Sequence, residues 1–250
     1  LILASAPEGG GMTTMLYTML DHIASPYLSV VSVEEKIELS LSHVMQAPVR
    51  RDLGQTYAST LRAALKHHPD IAVVAEIKDE DTASLAAGAA ARGMLVIAGV
   101  TAQSAQGAIQ EMLSLGVDPL ALSATLVVSI GTQVVQKICV HCKEEYHLAR
   151  AEAAPLEAQP ASGGAGANFG RVLAALKAEG VVGEGVQWKE LLFARAVGCG
   201  KCKDGYDGKI GLQEILPGGK GDAPLNIVED ALFKAVQGKT SIEEVMRVAQ

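Results

Sequence analysis

Aromatic residues are scarce in this 250-residue chain: one Trp, five Tyr and three Phe make up 4% of it. Alanine and glycine are abundant and about half of the residues are apolar, so the core has to be aliphatic. Dense runs of lysine and arginine are missing and the net charge is −7. Composition therefore gives no support for nucleic acid or an anionic membrane as a partner. Long apolar runs are missing too, because charges or glycines interrupt each stretch well before the roughly 18 residues of a transmembrane helix. No segment reads as a signal peptide. The chain opens on Leu1 rather than methionine, directly in a core strand, which predicts a fragment lacking an N-terminal region. What remains is ordinary globular composition, enough for one large domain or a medium domain with a small appendage. A chain this long hides about three quarters of its extended surface.

The stretch from Leu1 to Tyr17 reads as a short buried strand, a glycine-rich turn and the first turns of a helix. That is the layout of a phosphate-binding P-loop, G-x-x-x-x-G-K-[ST]. The frame Ala6 to Thr13 fits at Gly11 and Thr13, while Ala6 stands at the first glycine and Met12 at the lysine. Met15, Leu16, Met19, Leu20 and Ile23 then recur at helical spacing up to Pro26. A second strand is predicted over Tyr27 to Val33, running into the acidic cluster Glu34, Glu35, Lys36, Ile37 and Glu38. Such a cluster is either a solvated loop or the ligand edge of an open α/β sheet. Residues 42 to 54 read as loop, and Thr56 to His67 as a helix carrying Arg62. That arginine is a surface residue or one that reaches an anionic ligand. Asp70 to Glu76 is an apolar strand ending in a carboxylate, a place where a P-loop protein orders Mg²⁺ or polarises water. Helices follow over Lys78 to Arg92 and Ser104 to Leu115, with a strand over Met94 to Gly99 between them. A longer helical stretch is expected from Pro119 to about Val135. Strands alternating with helices imply parallel βαβ units and an α/β P-loop core over about residues 1 to 135.

The only four cysteines form two pairs, Cys139-Val-His-Cys142 and Cys199-Gly-Lys-Cys202, separated by the 56 residues 143 to 198. Two C-x-x-C knuckles bring four thiolates within reach of one tetrahedral Zn²⁺. Two disulfides fit a secreted chain better than this one, and a redox C-x-x-C needs only one pair. His141 is the adjacent alternative ligand. Between the pairs, residues 151 to 170 are Ala/Pro/Gly/Ser-rich and predict a mobile loop. Short helical pieces are expected over Phe169 to Lys177 and Trp188 to Phe193. Amphipathic helices are expected over Asp230 to Val236 and Ser241 to Val248, the last opened by a Ser241/Glu244 capping box.

Taken in order, these motifs over Leu1 to Leu216 resemble the C-terminal motor domain of the secretion-system ATPase family of type II secretion and type IV pilus assembly and retraction. Ile2 to Tyr17 matches the family P-loop with its following Leu-Tyr. Val33-Glu-Glu-Lys-Ile-Glu38 resembles the aspartate box V-E-D-P-x-E, and Val74-Ala-Glu-Ile-Lys-Asp79 resembles V-G-E-I-R-D. The stretch from Cys199 to Leu216 resembles the tetracysteine zinc module. Departures are concentrated in the nucleotide chemistry. Met12 replaces the P-loop lysine, Glu35 the box aspartate, Met94 and Thr101 the two histidines of the histidine box. Thr132-Gln133-Val134 lacks the arginine of a Q-R-L motif.

The resemblance implies a RecA-like P-loop core (1–135) with a parallel-rich sheet, a zinc-binding tetracysteine module (136–216) and C-terminal helices (217–250). It implies Gly9, Gly10, Gly11, Met12, Thr13 and Thr14 around ATP, and Thr13 on Mg²⁺. Glu34, Glu38, Glu76 and Arg62 take catalytic places, and Cys139, Cys142, Cys199 and Cys202 bind zinc. It further implies a homo- or hetero-hexamer, cytoplasmic and peripheral to the inner membrane, meeting inner-membrane platform proteins. With the lysine lost, the expected function is a catalytically impaired subunit; the alternatives are an active ATPase using substitute residues and a zinc-module interaction protein unrelated to transport. Lys36 and Lys78 are the candidate substitute charges.

Overall fold

A computed structural model of the chain describes residues 1–149, 152, 156, 167–219 and 224–249. The strands are, in chain order, β1 (Ile2–Ala6), β2 (Val30–Glu34), β3 (Val44–Pro48), β4 (Ile71–Ile77), β5 (Leu95–Thr101), β6 (Val128–Ile138), β7 (Glu144–His147), β8 (Leu192–Arg195) and β9 (Tyr206–Pro217). The described helices are α1 (Met12–Ile23), α2 (Tyr57–Leu65), α3 (Glu80–Ala91), α4 (Ala105–Ser114), α5 (Pro119–Thr125), α6 (Phe169–Ala178), α7 (Ile227–Val236) and α8 (Ile242–Val248). Two compact units result, one of residues 1–132 and 215–222, the other of residues 133–214 and 223–250.

The larger sheet is ordered β3-β2-β4-β5-β1-β6-β9; β1 to β5 belong to the first unit, while residues 133–138 of β6 and 206–214 of β9 belong to the second. Every pairing from β3 through to β6 is parallel. Parallel strands need crossovers, and helices supply them except between β2 and β3, which residues 35–43 join without one; the inner strands are buried on both faces and apolar almost throughout. Successive residues along a strand face opposite sides. Thus Leu3, Val31, Val33, Ala72, Val74, Val96 and Ala98 join one buried cluster with Leu61 of α2, Ala83 and Ala86 of α3 and Met112 of α4. Their neighbours Ala4, Val30, Ile71, Val73 and Ile97 pack instead with Leu16 and Leu20 of α1. The small side chains of α3 let it lie close to the sheet.

The second unit pairs β7 with β8 antiparallel, Glu144 opposite Arg195. A lone two-stranded ribbon is marginal in water, and α6, α7 and α8 bury it around Val135, Val172, Leu176, Phe193, Leu232 and Val245. Trp188 stacks on Phe169 at 4.3 Å and meets Phe193 edge-on at 5.8 Å.

Four sequence expectations are corrected. Residues 42 to 54 are not all loop, since Val44–Pro48 forms β3, an edge strand whose exposed residues hide any alternation. The helix expected from Pro119 to Val135 stops at Thr125. Val127 N–H then donates to Leu1 C=O at 2.8 Å, and Ile2 pairs with Val128, so sheet pairing captures a run rich in β-branched residues. The second strand starts at Val30 rather than Tyr27, which is 93% exposed. Trp188 to Phe193 is a single 3-10 turn, Trp188–Glu190, followed by β8. The loop expected at 151–170 falls, apart from 152, 156 and 167–170, outside the described residues. At the last helix Ser241 accepts Glu244 N–H at 3.3 Å, while the Glu244 carboxylate accepts Gln136 N–H and pairs with Arg247, both at 2.8 Å.

Candidate functional site

The turn between β1 and α1 is built by its glycines. Gly10 N–H donates to Pro7 C=O at 2.9 Å, and Gly9 between them takes φ 71°, the left-handed conformation that a type II turn requires at its third residue. Gly11 caps α1 from φ 96° and offers no side-chain acceptor. Each of the other seven described helices has an N-cap side chain accepting from its first turn: Thr56, Asp79, Ser104, Asp118, Asn168, Asn226 and Ser241. The first-turn N–H groups of α1 lack such a partner, and a helix start of this kind is suited to an anion. Ala6, standing at the first motif glycine, is the last residue of β1 and avoids positive φ. Alanine therefore carries no backbone penalty there.

A cavity of about 460 Å³ opens over this turn. Gly9, Gly11, Met12, Thr13, Thr14, Glu34, Glu38 and Glu76 all line it. Gly10 shapes the turn without lining the cavity, and Arg62 lies exposed on α2 away from it. Glu34 is 4% exposed, and its carboxylate is already engaged. Oε2 accepts from Tyr17 Oη at 2.5 Å; Oε1 accepts from Ser32 Oγ at 2.5 Å and Gln46 Nε2 at 3.2 Å. Burial first, and the bond to Glu34 second, push the Tyr17 phenol above its ordinary range, so it remains a donor at neutral pH. The same phenol oxygen accepts Glu38 N–H at 2.9 Å. Glu34 thus ties the acidic loop to α1. Tyr17→Phe should leave a buried carboxylate short of a donor and destabilise the protein by about 2 kcal/mol. A lower denaturant midpoint checks this; an unchanged one would mean that the network contributes nothing.

Glu76 is brought to the cavity by a break in register. Val74 pairs with Ala98 and Ile77 with Val100, so Ala75 and Glu76 face the single residue Gly99. Such a bulge re-aims a side chain. Gly99 is required, because a Cβ there would lie 2.1 Å from Ala75 C=O. Oε1 of Glu76 takes Lys78 Nζ at 2.8 Å and Thr101 Oγ1 at 3.2 Å. Thr101 lines the cavity, whereas Met94 precedes the opposite end of β5, roughly 20 Å away along a strand of this length. Of the two positions where the resemblance implies a histidine, only Thr101 lines this cavity. Sequence reasoning missed Tyr17, Tyr57 and Gly99 as parts of the site; the signal for Tyr17 is its place one helical turn beyond Thr13, on the same face.

In the second unit the antiparallel pairing of β7 and β8 places the residues before Glu144 beside those after Arg195. The two C-x-x-C pairs converge there, with all four sulfurs within 4.8 Å of one another. Cys142 and Cys202 sulfurs are 3.7 Å apart, Cys199 and Cys202 sulfurs 3.6 Å. A tetrahedron with Zn–S bonds of about 2.3 Å has edges of about 3.8 Å, so the donor set and its spacing fit zinc. The four cysteines are free of disulfides, and exposed His141 is outside the group.

A mostly parallel sheet, with its first strand leading through a glycine turn into an uncapped helix and a carboxylate strand-end beside it, defines a P-loop NTPase core. The family model described as Type II/IV secretion system protein matches residues 1–244. This chain belongs to that family. Type II secretion system protein E of Pseudomonas aeruginosa is 29% identical over 271 aligned positions, covering 100% of this chain and 48% of the relative. Type IV pilus assembly ATPase PilB of the same species is 28% identical over 271 positions, covering 100% and 43%. The chain spans about half the length of the curated relatives it matches. Among solved structures, the pilus retraction motor PilT with bound ADP superposes with a TM-score of 0.62 at 19% identity, over 99% of this chain and 60% of that one. The Legionella pneumophila ATPase DotB gives 0.61 at 14% identity, over 99% and 59%. These two share the fold.

Proposed function

We propose that the chain is a motor-ATPase subunit of a type II secretion or type IV pilus system whose nucleotide site is degenerate and whose hydrolysis is impaired. The observation that carries this is Met12, the first residue of α1, lining the cavity where the P-loop lysine belongs. Phosphoryl transfer is chiefly positioning and stabilisation of charge on the phosphoryl oxygens. The thioether has neither charge nor N–H donor, and loss of one preorganised donor typically costs about 10²- to 10³-fold in rate.

The residues that remain divide the work. The open N–H groups at the start of α1 hold phosphate oxygens, and Thr13 offers its hydroxyl to Mg²⁺, which when bound offsets phosphate charge. Glu34, saturated by Tyr17, Ser32 and Gln46, is a positioning residue in this reading. Glu38 and Glu76 are left to orient water, with Arg62 outside the cavity of its own chain. The four cysteines hold a structural Zn²⁺ within the region 136–216, and zinc there supplies folding energy rather than chemistry. The reading entails a homo- or hetero-hexamer, cytoplasmic and peripheral to the inner membrane, that meets inner-membrane platform proteins and no nucleic acid. No described helix is long and apolar enough to cross a membrane.

Phosphate release by the purified protein with millimolar MgATP tests the reading: the rate should not exceed that of Glu76→Gln. Native mass spectrometry of the same sample should show a six-membered ring. A monomer under all nucleotide conditions would count against a motor subunit.

A further inference from the structure

We propose that Lys36 is the cation that meets the phosphate chain of a nucleoside triphosphate in this cavity, in place of the charge that Met12 lacks. The proposal rests on the reading of the cavity as a nucleotide site, and it names the group that makes binding workable there.

Charge accounting singles out Lys36. Five carboxylates line the cavity, those of Glu8, Glu34, Glu35, Glu38 and Glu76, against a single cationic side chain, Lys36. Glu34 already has its acceptor oxygens occupied by three neutral donors. Glu35 pairs with Arg51 at 2.8 Å and Glu76 with Lys78 at 2.8 Å. Lys78, the other candidate, is therefore engaged and does not line the cavity. Lys36 is exposed and makes no ion pair among the described residues. A polyanion entering a cavity that also holds Glu8 and Glu38 is repelled unless cations meet it. Mg²⁺ is one such cation; Lys36 is the only one the lining supplies.

Lys36 is also held in place. Glu35 N–H donates to Tyr57 Oη at 3.1 Å, and Glu38 N–H donates to Tyr17 Oη at 2.9 Å. Both tyrosines line the same cavity. The short loop carrying Lys36 is thus fastened on either side of it, one end to α2 and the other to α1, and its lysine lines the same cavity as Met12 and Thr13. Met12, meanwhile, packs among the apolar residues around Leu16 and Leu20.

The test is a four-protein calorimetric titration with MgATP, using the native protein, Lys36→Met, Met12→Lys and the double variant. An ammonium–phosphate hydrogen bond changes affinity by about 10- to 100-fold. Lys36→Met should weaken binding by about that factor in the native background and by less than about 3-fold once Met12→Lys supplies the charge. A fifth protein, Lys36→Arg, should retain binding, and its loss of binding would count against a charge role for Lys36. Equal affinity of the native protein and Lys36→Met overturns the proposal. So does a native protein that does not bind while Met12→Lys does, an outcome that leaves the nucleotide-site reading intact. Silence from all four proteins, each folded by circular dichroism, overturns the nucleotide-site reading itself.

Discussion

Stripping metal from the purified protein is expected to release one Zn²⁺ per chain and to lower the melting temperature of its second unit by more than about 10 °C. The size follows from how that unit is held together. The strands beside the knuckles, β7 and β8, form a single pair of four residues each, too small to be stable alone. The knuckles sit where those strands meet, and Cys139 is 0% exposed. Without a cation, four thiols crowd one another and the two loops lose their common anchor. Zinc binding to four thiolates contributes roughly 10 to 16 kcal/mol in small domains, and where no site exists in the unfolded chain that energy stabilises the fold. The single tryptophan reports the outcome, because Trp188 stacks on Phe169 and meets Phe193 edge-on in this unit. Its fluorescence should shift on chelation and recover on adding zinc. Cys199→Ser should behave like the stripped protein. Full-strength melting without metal, or an elemental analysis free of zinc, would contradict the assignment.

Restoring the lysine should have the opposite sign. Met12→Lys is expected to tighten MgATP binding by about 10- to 100-fold in the Lys36→Met background, and by less where Lys36 is present, without harming the fold. Methionine and lysine have stems of similar length, and Met12 is only half-buried against its apolar neighbours. A lysine can keep its methylenes on that surface and send its ammonium into the cavity. The turn needs no remodelling, since Gly9, Gly10 and Gly11 already shape it and Ala6 fits its strand. Unchanged affinity in that background would mean that the charge lost at Met12 is not what limits this site. A gain in binding with little gain in turnover is the expected pattern, because Thr101, where the resemblance implies a histidine, offers Glu76 only a neutral hydroxyl.

Much of this was legible in the amino-acid order, and the parts that were not have physical causes. The turn at Gly9 to Gly11 is local: it needs only glycines at positions of positive φ, and those can be read directly. The four cysteines are equally legible, because a shared ligand set leaves a spacing. The strands β3 and β6 were not, as one is an edge whose burial is too shallow to impose alternation and the other is decided by pairing with β1, contacts more than a hundred residues apart. Glu34 shows the same limit within the site. Its position in an acidic cluster suggests chemistry; only the fold shows Tyr17, Ser32 and Gln46 closing around it. Glu76 reaches the cavity through a bulge at Gly99 that no periodicity announces.

The most direct test of the impaired-site account is steady-state phosphate release from MgATP by the purified, zinc-loaded oligomer, measured beside Glu76→Gln. The account predicts that the two rates coincide at background. Sustained release by the native protein, abolished by Glu76→Gln, would contradict it and establish a working motor that has replaced its lysine.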